Sequence, residues 1–120
     1  MLIKDRRLQQ ALLEALADEQ SAKILAATAF QPRSVMDLIR DEGIPSSSAY
    51  RRVHELEGSG LLVVGKTVLM PDGKTYSMYK ATFRELSVTF QAGAVVVSAT
   101  PNLDAAQKAF RLFHSFTEEL

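Results

Sequence analysis

Between positions 46 and 54 the chain reads Ser-Ser-Ser-Ala-Tyr-Arg-Arg-Val-His. Hydroxyls, a phenol, guanidiniums and an imidazole packed this closely form a set of hydrogen-bond donors suited to phosphate oxygens and base edges. Arg51 is the best reader of a base, because its planar fork matches O6 and N7 of guanine. Ser46, Ser47 and Ser48 suit phosphate or base-edge contact, helped by the free N–H groups of a helix start. Tyr50 and Arg52 are better placed for phosphates, and His54 for a phosphate or for solvent. Arg33, upstream, and Lys66 and Lys74, downstream, could reach the backbone of the same duplex.

Such residues need elements that aim them. With Ala49, Val53 and Leu56 taken as the packed stripe of a helix, steps of about 100° per residue turn Ser47, Arg51 and His54 outward. Tyr50 and Ser48 then lie on opposite flanks, and Arg52 sits near the core edge. The preceding Ser34-Val35-Met36-Asp37 reads as a capping box that opens a short helix with Val35, Leu38 and Ile39 inward. Gly43 suits a left-handed C-cap, Ile44-Pro45 turns the chain, and the serine run is expected to cap the next helix. A short helix over 34–41, a tight turn over 42–45 and a second helix over 46–57 make a helix-turn-helix.

Further elements surround it. Leu8, Ala11, Leu12 and Ala15 repeat at helical spacing, and Asp18 can cap a second helix with the stripe Ala22, Leu25, Ala26 and Ala29. Gly58 and Gly60 end the fourth helix. Residues 61–69 and 75–82, joined by Pro71-Asp72-Gly73-Lys74, read as a β-hairpin, the wing. Leu86, Val88 and Phe90 alternate with polar residues. Gly93 breaks that strand, and 94–99 gives another. A closing helix is expected over 103–119, with the apolar stripe Ala106, Ala109, Phe110, Phe113, Phe116 and Leu120. The expected fold is α+β: a winged helix-turn-helix over 1–83, extended by a C-terminal β-hairpin and closing helix over 84–120 as part of the same domain.

Composition narrows the function. The 120 residues fit one domain. Fourteen basic and fourteen acidic residues cancel, so any nucleic-acid contact must use a local basic face. There is no cysteine, which excludes disulfides and thiolate metal sites. No apolar run approaches the ~20 residues that span a bilayer. With a charged start and no signal-peptide core, the expectation is a cytoplasmic protein with no membrane partner. There is no Gly-rich phosphate loop, nucleophile elbow or metal-ligand cluster, so neither enzyme activity nor a cofactor is expected.

Residues 44–53 (Ile-Pro-Ser-Ser-Ser-Ala-Tyr-Arg-Arg-Val) and 56–62 (Leu-Glu-Gly-Ser-Gly-Leu-Leu) resemble the recognition helix and exit of ArsR-type and related winged-helix regulators, the archaeal members most of all. Residues 16–25 are similar to the family's second-helix entry, and Tyr79-Lys80-Ala81-Thr82 to the end of its wing. The resemblance implies a winged helix that docks on double-stranded DNA. Founding members sense metals through cysteines, which this chain lacks, so metal sensing is not implied.

Plainer readings stand beside these. Arg51 and Arg52 could pair with Glu55 and Glu57. The serines could be caps only, Tyr76 and Tyr79 hairpin packing, and Lys66 and Lys74 ordinary edge charges. Phe110 and Phe113 could cover the second hairpin of their own chain. The sharper expectation is a homodimer seam of Leu8, Leu12, Phe110, Phe113 and Phe116, since large apolar faces mark partners. An effector could act by shifting the spacing of the two recognition helices, and the C-terminal extension is where it would bind. The rival function is a protein-interaction module of a transcription or chromatin complex.

Overall fold

Side chains that accept from otherwise unpaired backbone N–H groups set where three of the helices begin. The computed structural model describes residues 1–103 and 105. Asp5 caps α1 (Arg6–Ala17), accepting from the Leu8 amide at 2.8 Å. Asp18 caps α2 (Glu19–Ala27), accepting from the Ser21 amide at 2.9 Å. The expected capping box opens α3 (Val35–Glu42), with Ser34 and Asp37 each accepting from the other's backbone at 3.0 Å. Gly43 closes it at φ 68°, a left-handed conformation that glycine adopts without steric cost.

The fourth helix, α4 (Ser46–Gly58), departs from expectation: its N-cap is Pro45, with no side-chain cap. The Pro45 carbonyl accepts from the Ala49 amide, so the serines are already inside the first turn. One step past the cap position, their hydroxyls cannot close back on it, and Ser46 and Ser47 are exposed.

Strands β1 (Leu62–Leu69) and β2 (Thr75–Ala81) form an antiparallel hairpin with a bulge between Val64 and Lys66. Its tip is the expected turn, with Gly73 at φ 86° and the Lys74 amide donating to Asp72 at 2.9 Å. Strands β3 (Phe83–Gln91) and β4 (Ala94–Pro101) form a second antiparallel hairpin. An element not anticipated lies beside it: Ile3 donates to the Val97 carbonyl, and Leu2 bridges Ser98. So short an extended segment carries too few residues for a period-2 signal.

One hydrophobic cluster joins all of these, from Ile3 and Leu8 through Leu38 and Val53 to Val97, Ala99 and Ala105. Leu8 and Leu12, expected at a dimer seam, are 5% and 1% exposed inside it. Their stripe packs the chain's own core, and the apolar residues that α1 leaves to solvent are Leu13 and Leu16. In α2 the core face is Ser21 and Ile24, continued by Thr28. The expected stripe lies one helical step aside, with Ala22 and Leu25 half-buried, Ala26 exposed and only Ala29 buried. The helix is apolar on two adjoining faces, and periodicity alone could not choose between them. Phe110, Phe113, Phe116 and most of the expected closing helix lie outside the described residues.

Asn102 fixes the end of the second hairpin. Its amide side chain donates to the carbonyls of Ala29 at 2.8 Å and Ala81 at 2.9 Å. Ser34→Ala removes one half of the capping box, and a loss of about 1 kcal/mol is expected. Urea denaturation checks this, the midpoint falling at unchanged slope.

Candidate nucleic-acid interface

Burying Ala49, Val53 and Leu56 of α4 against the core decides what its other faces present. Ser46, Ser47, Tyr50, Arg51 and His54 are all exposed, while Ser48 is half-buried. Ile44, 2% exposed, pins the turn between α3 and α4 into the core. Among the described residues Arg51 makes no ion pair, so the expected alternative of pairing with Glu55 is not what holds it.

Arg52 differs from its expected role. Its Nε donates to Asp18 Oδ2 at 2.6 Å and its Nη2 to Asp18 Oδ1 at 2.9 Å, and the side chain is 17% exposed. A guanidinium held by two of its three nitrogens against one carboxylate is committed inside the fold and is not available to a phosphate. It ties α4 to the start of α2. The same Asp18 carboxylate also caps α2. Arg52 first, then Ser21, hold it well below the usual carboxylate range.

Arg33 is also partly engaged. Its Nε reaches the Ala27 carbonyl at 3.4 Å and its Nη1 lies 3.9 Å from Asp41. Its main part is played by the backbone, which exchanges hydrogen bonds with Tyr79 at 2.9 and 2.7 Å and fastens β2 to the entry of α3. Nearby, β1 runs close to Pro32: a Cβ at Gly65 would lie 3.2 Å from Pro32 Cγ, a tight contact from which the neighbour would have to give by a few tenths of an ångström. The wing is therefore seated against the segment leading into the helix-turn-helix. Lys66 and Lys74 stand exposed on it. The structure thus exposes Ser46, Ser47, Tyr50, Arg51 and His54 around the outer side of α4, leaves Ser48 half-buried, and puts the lysines exposed on the hairpin. Arg52 is left out of that set.

One feature of this face escaped sequence reasoning. A cleft of about 460 Å³ separates α3 and α4 from the wing, lined by Met36, Tyr50, Met70, Tyr76 and Tyr79 among others. Met36 is 62% exposed. The usable signal was its position on α3, where it points away from the inward pair Val35 and Leu38. Arg40 at the rim is held by Asp41 at 2.8 Å and by Asp37 at 2.9 Å. Burial, followed by the nearby Glu57 charge, raises the Tyr79 phenol above its ordinary value. The described residues contain no group of three or more His, Asp or Glu side chains able to hold a metal ion.

No family model and no curated protein matches the chain. Among solved structures, HlyU from Vibrio cholerae is similar at 18% identity and a TM-score of 0.45, covering 92% of this chain and 96% of its own. Reduced HlyU from the same organism gives 18% and 0.43, covering 88% of each chain. An ArsR family transcriptional regulator gives 16% and 0.44, covering 97% of this chain and 92% of its own. At such identities and scores, the chemistry of the site has to be read from this chain's own residues.

Asp18→Asn keeps a capping oxygen but removes the charge opposite Arg52. A carboxylate whose pKa is depressed by folding stabilises above its unfolded pKa of about 3.9, and that stabilisation fades as pH falls toward the native value. The wild-type protein should therefore be more stable than Asp18→Asn near neutral pH. The gap should narrow steadily below about pH 4 in a urea series. A gap independent of pH would mean that the ion pair contributes nothing.

Proposed function

We propose that this chain is a regulator of transcription that binds double-stranded DNA. The observation that carries the reading is the outer face of α4. Arg51 stands there among exposed hydroxyls and an imidazole with no acidic partner among the described residues, while its neighbour Arg52 is committed to Asp18 and holds the helix in place. A helix of 13 residues is about 20 Å long and narrow enough for the major groove. In this reading Arg51 reads a base, and Ser46, Ser47, Ser48, Tyr50 and His54 contact phosphates or base edges. Lys66 and Lys74 on the wing, with Arg33 near its base, brace the flanking backbone.

The protein acts as a homodimer, which would set two recognition helices ~34 Å apart on successive turns of DNA. Its seam lies on the side of the second hairpin, where Val88, Phe90 and Val95 are 42%, 74% and 42% exposed. Neighbouring apolar residues of this kind are the usual mark of a partner. Occupying a promoter in this way would exclude the transcription machinery sterically.

The apolar lining of the cleft between α3, α4 and the wing favours a second reading, a module that takes a protein segment within a transcription or chromatin complex. The two readings differ on Arg51 and Lys74. Fluorescence anisotropy of duplex DNA titrated with the protein should show affinity that falls steeply with salt. Arg51→Ala should weaken binding to a selected site by roughly 1–3 kcal/mol, and Lys74→Ala should lower the salt slope by about one. No binding at low salt, or binding indifferent to Arg51→Ala, would overturn the recognition helix and leave the protein-binding module.

A further inference from the structure

With no cysteine in the chain, its sulfur resides in four methionines alone, Met1, Met36, Met70 and Met78. Two of them share one place. Met36 on α3 and Met70, where β1 gives way to the wing turn, line the same cleft and are 62% and 41% exposed. Met1 and Met78 are half-buried. Oxidation of a thioether follows its exposure, so the pair in the cleft is the part of the chain most open to an oxidant.

Each of the two also stands beside a residue that DNA binding would use. The Tyr50 hydroxyl donates to Met36 Sδ at 4.0 Å, a weak bond because thioether sulfur is a poor acceptor. Met70 is joined across the turn to Lys74, whose carbonyl accepts from the Met70 amide at 2.7 Å. The Met70 carbonyl in turn accepts from the Gly73 amide at 3.0 Å. One sulfur therefore borders the recognition helix, and the other belongs to the tip of the wing.

We infer that Met36 and Met70 form an oxidation site through which peroxide weakens the hold on DNA. The inference rests on the DNA-binding reading of α4 and adds regulation to it. In the step itself a sulfur lone pair attacks one oxygen of hydrogen peroxide. An S–O bond forms, the O–O bond breaks, and the proton on the transferred oxygen passes to the departing one. Sulfur is oxidised by two electrons, and the peroxide is reduced to water.

The product is a sulfoxide, a polar group where an apolar one stood. Its oxygen is a far stronger acceptor than thioether sulfur, so it draws the Tyr50 hydroxyl away from phosphate and toward Met36. On the wing, its partial negative charge close to Lys74 opposes an approaching phosphate. Both side chains lie at the surface, so neither change asks the core to move. Methionine sulfoxide reductases restore the thioether.

The test uses the full chain with hydrogen peroxide as oxidant. Peptide mass spectrometry over a time course should find sulfoxide at Met36 and Met70 several-fold sooner than at Met1 or Met78. Equal rates, or Met78 ahead, would overturn the site. Anisotropy of duplex DNA on the same samples should show affinity falling several-fold as the two sulfoxides accumulate, with circular dichroism unchanged. Treatment with the two stereospecific methionine sulfoxide reductases should restore it. The double variant Met36→Leu, Met70→Leu keeps apolar volume and should bind DNA equally before and after peroxide. Affinity lost by the variant as by the wild type, or kept by the wild type with both sulfurs oxidised, would overturn the regulation. Absence of binding by the untreated protein at low salt would instead overturn the DNA-binding reading and the regulation with it. Mass spectrometry decides the oxidation site in either case.

Discussion

Helix α4 has to bury one face and offer another, and a single carboxylate fixes which is which. Ala49, Val53 and Leu56 draw the helix into the core, but small apolar contacts tolerate some rotation about the helix axis. The bidentate Arg52–Asp18 pair removes that freedom, since a guanidinium fork and a carboxylate meet well in one orientation. Asp18 is itself immobilised by capping α2. Through this one group the start of α2 fixes the angle at which Arg51 and His54 leave the surface.

The wing is held by different means. The backbone of Arg33 pairs with that of Tyr79, and the Gly65 bulge lets β1 approach Pro32 closely. The first is a main-chain contact and the second an apolar one, and neither involves a charged group. A surface placed on the first of these is held by main-chain hydrogen bonds, which salt screens little.

Apolar surface is also left over elsewhere on the molecule. The core uses one stripe of α1 and one of α2, and each helix retains a second. Leu16 with the Ala22, Leu25 and Ala26 row forms one such surface, and the outer part of the second hairpin forms another. Apolar area of this kind is favoured only when it is covered.

Much of this was legible in the residues. The capping box at Ser34, the left-handed Gly43, the packed stripe of α4 and the Pro71–Lys74 turn are local signals, each decided by groups a few positions apart. Local chemistry likewise put Ser47, Arg51 and His54 on the outside. What depended on distant partners was not legible. Arg52 could be placed near the core edge, but Asp18, its partner, is 34 positions away. The two apolar faces of α2 were equivalent until Ile24 met the rest of the core, and Leu8 and Leu12 could not declare whether they covered their own chain or another. The cleft between Met36, Tyr50 and Tyr76 exists only because the hairpin folds back beside α3. Sequence determined which surfaces each segment could bury. Tertiary packing decided which of them it did bury, because that choice rests on contacts between residues with no local relation.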